Sequence, residues 1–205
     1  MKKLFLATGN EDKIKEIAAL LLGLPIDLKT FRDFPDLPKV EETGNTLKEN
    51  AFLKARAYFL ATGLPSLADD TGLEIDAMGS QPGVYSSRFA GPEATYVENV
   101  AKVLGLMQGI RAKERKARFR AVIAMVFSPT DERSVEGRLE GSITVVPIGT
   151  GGFGYDPIFY VPELEKTLAE LSLEQKNRIS HRGRALEKAK PILAEWAKDT
   201  IKSPA

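Results

Sequence analysis

The sequence predicts an α/β or α+β protein built around a mixed sheet. Three observations carry this. Short apolar runs bounded by turn residues alternate with segments of helical period along the whole chain. Two long strand-like runs, "ARFRAVIAMVF" and "SVEGRLEGSITVVP", are split only by the turn "SPTDE". No linker-like shift in composition divides the 205 residues, a length that favours one domain with room for two lobes.

Leu4 to Ala7 is an apolar run closed by "TGN" and reads as a buried strand. A helix follows, with Ile14, Ile17, Ala18 and Leu21 on one face and Gly23 at its end. Pro25, Pro35, Pro38 and Gly44 make residues 24–45 strand fragments and loop. Thr46 and Glu49 form the capping-box pattern of a helix that runs to about Thr62 and stops at Gly63. Leu73, Ile75 and Ala77 alternate with Glu74 and Asp76, the period of a strand. "GSQPGVYSSRFAGPE" is a long loop, and Val97, Val100, Ala101 and Leu104 mark the next helix. After the two long strands, "GTGGFGYDP" is a glycine-rich loop. The last helix follows "SHRG", with Ala185, Ala189, Ile192, Leu193 and Trp196 on one face and a kink expected at Pro191.

Composition removes several function classes. The apolar share of 43% suffices for a sizeable core, and a net charge of +1 supplies no global field towards nucleic acid or anionic lipid. The absence of cysteine excludes disulfides and thiolate zinc sites and fits a cytoplasmic protein. The N-terminal "MKKLFLATGNEDK" reads as neither signal peptide nor membrane span. Neither an internal repeat nor a low-complexity segment is evident.

Four stretches could carry chemistry. In "LATGNEDK", strand, tight turn and helix start together make an anion site. Asn10 is a good N-cap, which puts Lys13 in the first turn, where it opposes the helix dipole by about 0.3–1 kcal/mol. A bound phosphate would reverse that sign; the alternative is a solvated lysine beside an ordinary cap. The stretch is not a P-loop, because it lacks the second glycine and the Ser/Thr. In "GTGGFGYDP", Phe153 and Tyr155 interrupt the glycines, as aromatics that stack on a base would; the alternative is a flexible connection. In "KNRISHRGRAL", Ser180 caps the last helix and puts His181 and Arg182 in its first turn, with Lys176 and Arg178 upstream. His181 is the sole histidine, so a catalytic triad or a multi-histidine metal site is impossible.

The fourth stretch is Asp69–Asp70, which follows an apolar run as acids do at a strand end, with Glu41 and Glu42 in the loop "VEETG". With no cysteine and one histidine, any metal must be held mainly by oxygen, which points to Mg²⁺ on one or two carboxylates plus phosphate and water. The alternative is that Asp69 caps a turn and Asp70 is solvated.

"TGNEDKIKE", "EETG", "ENAFLKA", "ADDTGLEID", "PGVYSSRFAG", "GTGGFGYDPIF" and "ISHRGRAL" occur in this order from Thr8 to Leu186. The ordered set resembles the inosine/xanthosine triphosphate pyrophosphatase family, over nearly the whole chain. The resemblance implies an elongated mixed β-sheet flanked by helices, two lobes around a nucleotide cleft, and a homodimer. It implies Mg²⁺-dependent hydrolysis of ITP, dITP and XTP to the monophosphate and pyrophosphate. Carried onto this sequence, Thr8, Gly9, Asn10, Glu11, Asp12, Lys13 and Lys54 would hold the triphosphate. Glu41 and Asp70 would hold the metal, and Asp70 would also act as the base. Thr71, Phe153, Gly154, Tyr155, Asp156, Lys176, His181 and Arg182 would line the nucleotide site. Asp69 would be an alternate ligand or stand behind the ligands.

Three other readings compete. A pyrophosphatase for modified pyrimidine nucleotides fits less well with "SHR", which suits a purine carbonyl. A sensor that binds without hydrolysing is disfavoured by the intact acids. A nucleic-acid-binding module lacks a basic stripe.

Overall fold

The structure, a computed structural model, describes residues 1–198. Among these, eight strands hydrogen-bond in one mixed sheet flanked by helices, the α/β class the sequence predicts. The strands are β1 (Lys2–Leu6), β2 (Ile26–Lys29), β3 (Ser66–Ile75), β4 (Gln81–Gly83), β5 (Lys116–Ser128), β6 (Asp131–Ile143), β7 (Phe159–Val161) and β8 (Lys166–Thr167). Their order is β2-β1-β3-β5-β6-β7-β8, with β4 paired to β3. β1 is parallel to β2 and β3, whereas β4, β7 and β8 pair antiparallel. The α-helices are α1 (Glu11–Leu21), α2 (Leu47–Thr62), α3 (Tyr96–Leu106), α4 (Leu173–Ile179) and α5 (His181–Lys198).

The contacts divide the chain into two compact units. Among the described residues, the first comprises Met1–Asp70, Val122–Glu136 and residues 185–198; the second comprises Thr71–Ala121 and Gly137–Arg184. The first unit packs α1, α2 and most of α5 on β1 and its neighbours. Leu4, Phe5, Leu6, Ile17, Ala51, Ala55, Leu67, Ala189 and Leu193 are buried there. Phe5 meets Phe31 and Phe34 edge-on at 5.3 and 5.6 Å, which anchors the loop after β2. The core of the second unit is Leu73, Ile75, Val100, Val103, Met107, Phe119, Leu139, Ile158, Phe159 and Leu168.

The caps form as the sequence dictates. Asn10 accepts from the Asp12 and Lys13 amides, and Thr46 and Glu49 close a reciprocal capping box at α2. Gly63 ends α2 in the left-handed conformation. At α1 the ending differs: Leu22 (φ −56°, ψ 135°) and Gly23 (φ +91°) are the centre of a type II turn, closed by Leu24 N–H to the Leu21 carbonyl at 3.2 Å. Gly23 thus turns the chain towards β2 two residues past the last residue of the helix.

Four expectations need correction. β3 runs through Asp69 and Asp70 without a break and ends at Ile75, so the acids are mid-strand and Ala77 belongs to a 3₁₀ turn. The buried face of α3 is Val100 and Val103, continued by Met107, while Val97 is exposed. β6 stops at Ile143, and Val145 and Val146 are exposed. The long loop contains β4 and a 3₁₀ turn at Ser86–Arg88. Pro191 lies on an exposed position inside α5, as the sequence places it. No described helix is long and apolar enough to cross a membrane.

Candidate active site

Parallel pairing builds the acidic cluster of the first unit. β1 pairs β3 with Leu6 opposite Leu67. β1 ends at Leu6 while β3 continues, so the turn into α1 lies beside Asp69–Asp70, just past the carboxyl end of the parallel pairing, the edge at which open α/β sheets bind ligands. Lys13, in the first turn of α1, reaches across, and its Nζ lies 2.7 Å from Asp69 Oδ2. Asp69 is 0% exposed and the Lys13 side chain only 16%. The solvated reading of Lys13 is therefore excluded: the buried carboxylate offsets its conflict with the helix dipole.

Lys54 enters from α2. The buried face of that helix is Leu47, Asn50, Ala51, Lys54, Ala55 and Tyr58, so two polar residues interrupt an apolar stripe. Lys54 Nζ lies 2.7 Å from Asp70 Oδ1, 2.7 Å from Glu42 Oε1 and 3.0 Å from the Asp69 carbonyl oxygen. Asn50 accepts from the Gly44 amide at 2.7 Å, and the Tyr58 hydroxyl donates to the Pro38 carbonyl at 3.0 Å. α2 thus tethers the loop that carries Glu41 and Glu42 on both sides. Glu42 is the carboxylate brought to Asp70; Glu41 is exposed.

Burial pushes the Asp70 carboxyl above its ordinary range; Lys54 and Lys13 pull it back, and Glu42 adds to the rise. Burial pulls the Lys54 ammonium down, but Asp70 and Glu42 outweigh this and leave it raised. The solvated reading of Asp70 is excluded as well, because it is buried in an ion-paired cluster. Among the described residues, no three acidic or imidazole side chains form a ready metal cage. The groups that could hold a hard cation are Asp70 and the carboxylates at 41 and 42.

The remaining "TGNEDK" residues arrange the turn. Thr8 Oγ1 accepts from the Asn10 amide at 3.2 Å. Glu11 pairs with Arg32 at 2.8 Å and Asp12 with Lys15 at 3.6 Å, both on the surface. The Asp12 and Lys13 amides are taken by the Asn10 cap and so are not free backbone donors at this helix start.

In the second unit the glycine-rich loop is locked. Asp156 Oδ2 accepts from the Phe153 amide at 2.8 Å and pairs with Lys176 Nζ at 2.5 Å, both side chains buried. The flexible-connection reading fails on this ion pair. Lys176 and Arg182 lie over the Phe153 ring at 4.5 and 5.6 Å, and Tyr96 packs beside it at 5.9 Å. Phe153 is half-buried, the aromatic of the loop that remains open to a ligand. Tyr155 is buried, with its hydroxyl donating to the Ser86 carbonyl at 2.8 Å; burial raises its pKa strongly.

Ser180 ends α4 and caps α5, accepting from the Gly183 amide at 3.0 Å. This sets His181 and Arg182 at the start of α5, as predicted. His181 stacks on Phe119 at 4.5 Å and 17°. Arg182, 1% exposed, donates from Nη2 to Thr71 Oγ1 at 3.0 Å. Sequence reasoning did not single out Phe119, Tyr96 or Asn50. Of these, only Asn50 had a signal, as a polar residue on an apolar helix face.

The helix pair depends on one small residue. A Cβ on Gly183 would lie 1.8 Å from the Asn177 carbonyl oxygen, a backbone atom that cannot swing aside. Gly183→Ala should destabilise the protein by about 1–3 kcal/mol or more in urea unfolding. Unchanged stability would contradict the close approach.

A Ham1 family model matches residues 4–192. The chain belongs to the Ham1 family. A relative from Geobacter sulfurreducens, named dITP/XTP pyrophosphatase, is 51% identical over 91% of this chain and 94% of its own. Another of that name, from Desulforamulus reducens, is 50% identical over 93% and 95%. The structure of a HAM1 protein from Coxiella burnetii superposes with a TM-score of 0.87 at 45% identity, covering 95% of this chain and all of the other.

Proposed function

We propose that the protein is a nucleoside triphosphate pyrophosphatase that clears non-standard purine nucleotides, ITP, dITP and XTP, by attack of water at the α-phosphorus. Relatives named dITP/XTP pyrophosphatase support the substrate class. The observation that carries the chemistry is the cluster Lys13–Asp69 and Lys54–Asp70–Glu42, with both lysine Nζ atoms within 3.5 Å of the Asp69 carbonyl oxygen. Two ammonium groups converging on one point form an anchor for phosphate oxygens.

With every acid ionised, those two ammonium groups face three carboxylates, a net charge of −1 that repels a triphosphate. A divalent cation would make the balance +1. The donor set is all oxygen, which fits Mg²⁺ held by Asp70 and a carboxylate of the 41–42 loop, with phosphate and water at the other positions. The resemblance favours Glu41 as that second ligand, and the geometry offers Glu42. Bound there, the cation would neutralise charge developing on the phosphate oxygens.

The chain's own residues do the rest. Lys13 and Lys54 hold the triphosphate. Asp70 takes the proton of the attacking water as general base. Phe153 offers a face for the purine to stack on, and Arg182, held by Thr71, offers donors to its edge. A cytoplasmic homodimer belongs to the same proposal; light scattering on the purified protein checks the dimer.

Attack at the α-phosphorus gives monophosphate and pyrophosphate. Chromatography of a single turnover with ITP should show IMP and pyrophosphate as first products. Orthophosphate and IDP would contradict the reading.

A further inference from the structure

Asp69 is the one buried acid of the cluster that the proposed mechanism leaves without a task. Its place in the strand limits what it can do. Successive side chains leave a strand on opposite faces, and β3 is continuous through both acids. The partners follow that alternation: the Asp69 carboxylate meets Lys13 of α1, and the Asp70 carboxylate meets Lys54 of α2. A single cation bound by Asp70 is therefore on the wrong side for the Asp69 carboxylate. The Asp69 carbonyl oxygen, in contrast, lies in the plane of the strand and receives Lys54 at 3.0 Å, with Lys13 at 3.5 Å.

We infer that Asp69 is a positioning residue for Lys13: its carboxylate holds the ammonium at the phosphate site and takes no part in binding the metal. The inference rests on the functional reading above. A lysine side chain has four rotatable bonds, and immobilising it in advance removes an entropic penalty from substrate binding. The fully buried partner is what fixes it; a surface carboxylate would be screened and mobile.

A double-mutant cycle tests this without relying on hydrolysis. The probes are inorganic tripolyphosphate with Mg²⁺, by calorimetry, and Mn²⁺ alone, by electron paramagnetic resonance. Lys13→Ala should weaken tripolyphosphate by roughly tenfold to a hundredfold, the range for one charged hydrogen bond. Asp69→Ala should weaken it similarly, and the double variant should be no worse than either single one. Asp69→Asn keeps an acceptor for the ammonium and should recover most of the affinity. Mn²⁺ affinity should fall much less in Asp69→Asn than in Asp70→Asn, because Asp70 alone of the two is a proposed ligand.

Thermal melting gives a second readout if Asp69→Ala does not fold. Lys13→Ala removes the ammonium that faces a buried carboxylate and should lower Tm by on the order of 10 °C, and adding Asp69→Asn should recover most of it. A loss of Mn²⁺ affinity in Asp69→Asn as large as that in Asp70→Asn would make Asp69 a metal ligand and overturn the inference. So would additive losses of tripolyphosphate affinity, or no recovery of Tm. Failure of the wild type to hydrolyse ITP would instead overturn the functional reading and leave the coupling between Asp69 and Lys13 intact.

Discussion

Asp70→Asn should lower kcat for ITP by on the order of 10²-fold or more. The substitution keeps size and shape and removes only the charge. An amide cannot accept the proton of the attacking water, and general-base catalysis by a placed side chain contributes about 10²–10⁴-fold. It also withdraws one anionic ligand from the proposed cation, so the Mg²⁺ concentration giving half-maximal rate should rise. The fold should tolerate the change, because asparagine can still accept from Lys54, whose other partners are Glu42 and the Asp69 carbonyl oxygen. Steady-state kinetics over a range of Mg²⁺ concentrations, with melting as control, decides it. Near-wild-type kcat in a folded variant would remove Asp70 from the role of base.

The second large effect concerns the purine. Hypoxanthine and xanthine carry a carbonyl at C6, an acceptor; adenine carries an amino group there, a donor. Arg182 has donors and no acceptor capacity. It is buried, held by Thr71 and stacked near Phe153, so it cannot turn away to suit adenine. Sites that leave buried donors unpaired with the wrong ligand discriminate by roughly 10⁴-fold, far beyond an apolar pocket. The wild type should prefer ITP and XTP over ATP on that scale in kcat/KM, and Arg182→Ala should lose most of the preference. Guanine shares the C6 carbonyl, so its exclusion must act on the 2-amino group. A wild type that hydrolyses ATP as well as ITP, or an Arg182→Ala variant with full preference, would show that Arg182 does not read the base.

Much of this arrangement was legible in the chain. Helix starts announce themselves through local bonds, so the Asn10, Thr46 and Ser180 caps were readable, and with them the placement of Lys13, His181 and Arg182. What a helix start faces is a tertiary matter. Nothing local says that Lys13 meets Asp69, since that contact is set by the parallel pairing of Leu6 with Leu67, two residues far apart in the chain. The acids looked like a strand end because charge inside a strand is costly. The strand continues because Lys13 and Lys54 compensate both charges from two helices. The choice between Glu41 and Glu42 had no periodic signal, as both lie in a loop. β4, β7 and β8 are two or three residues long and exist only as partners of longer strands, so no window of sequence marks them.

The most direct test of the proposed activity is pyrophosphate release from ITP, dITP, XTP, ATP, GTP and CTP, each with Mg²⁺ and with EDTA. Rapid release from the first three, with Mg²⁺ only, is the predicted result. Equal release from ATP or CTP, or release undiminished by EDTA, would contradict it.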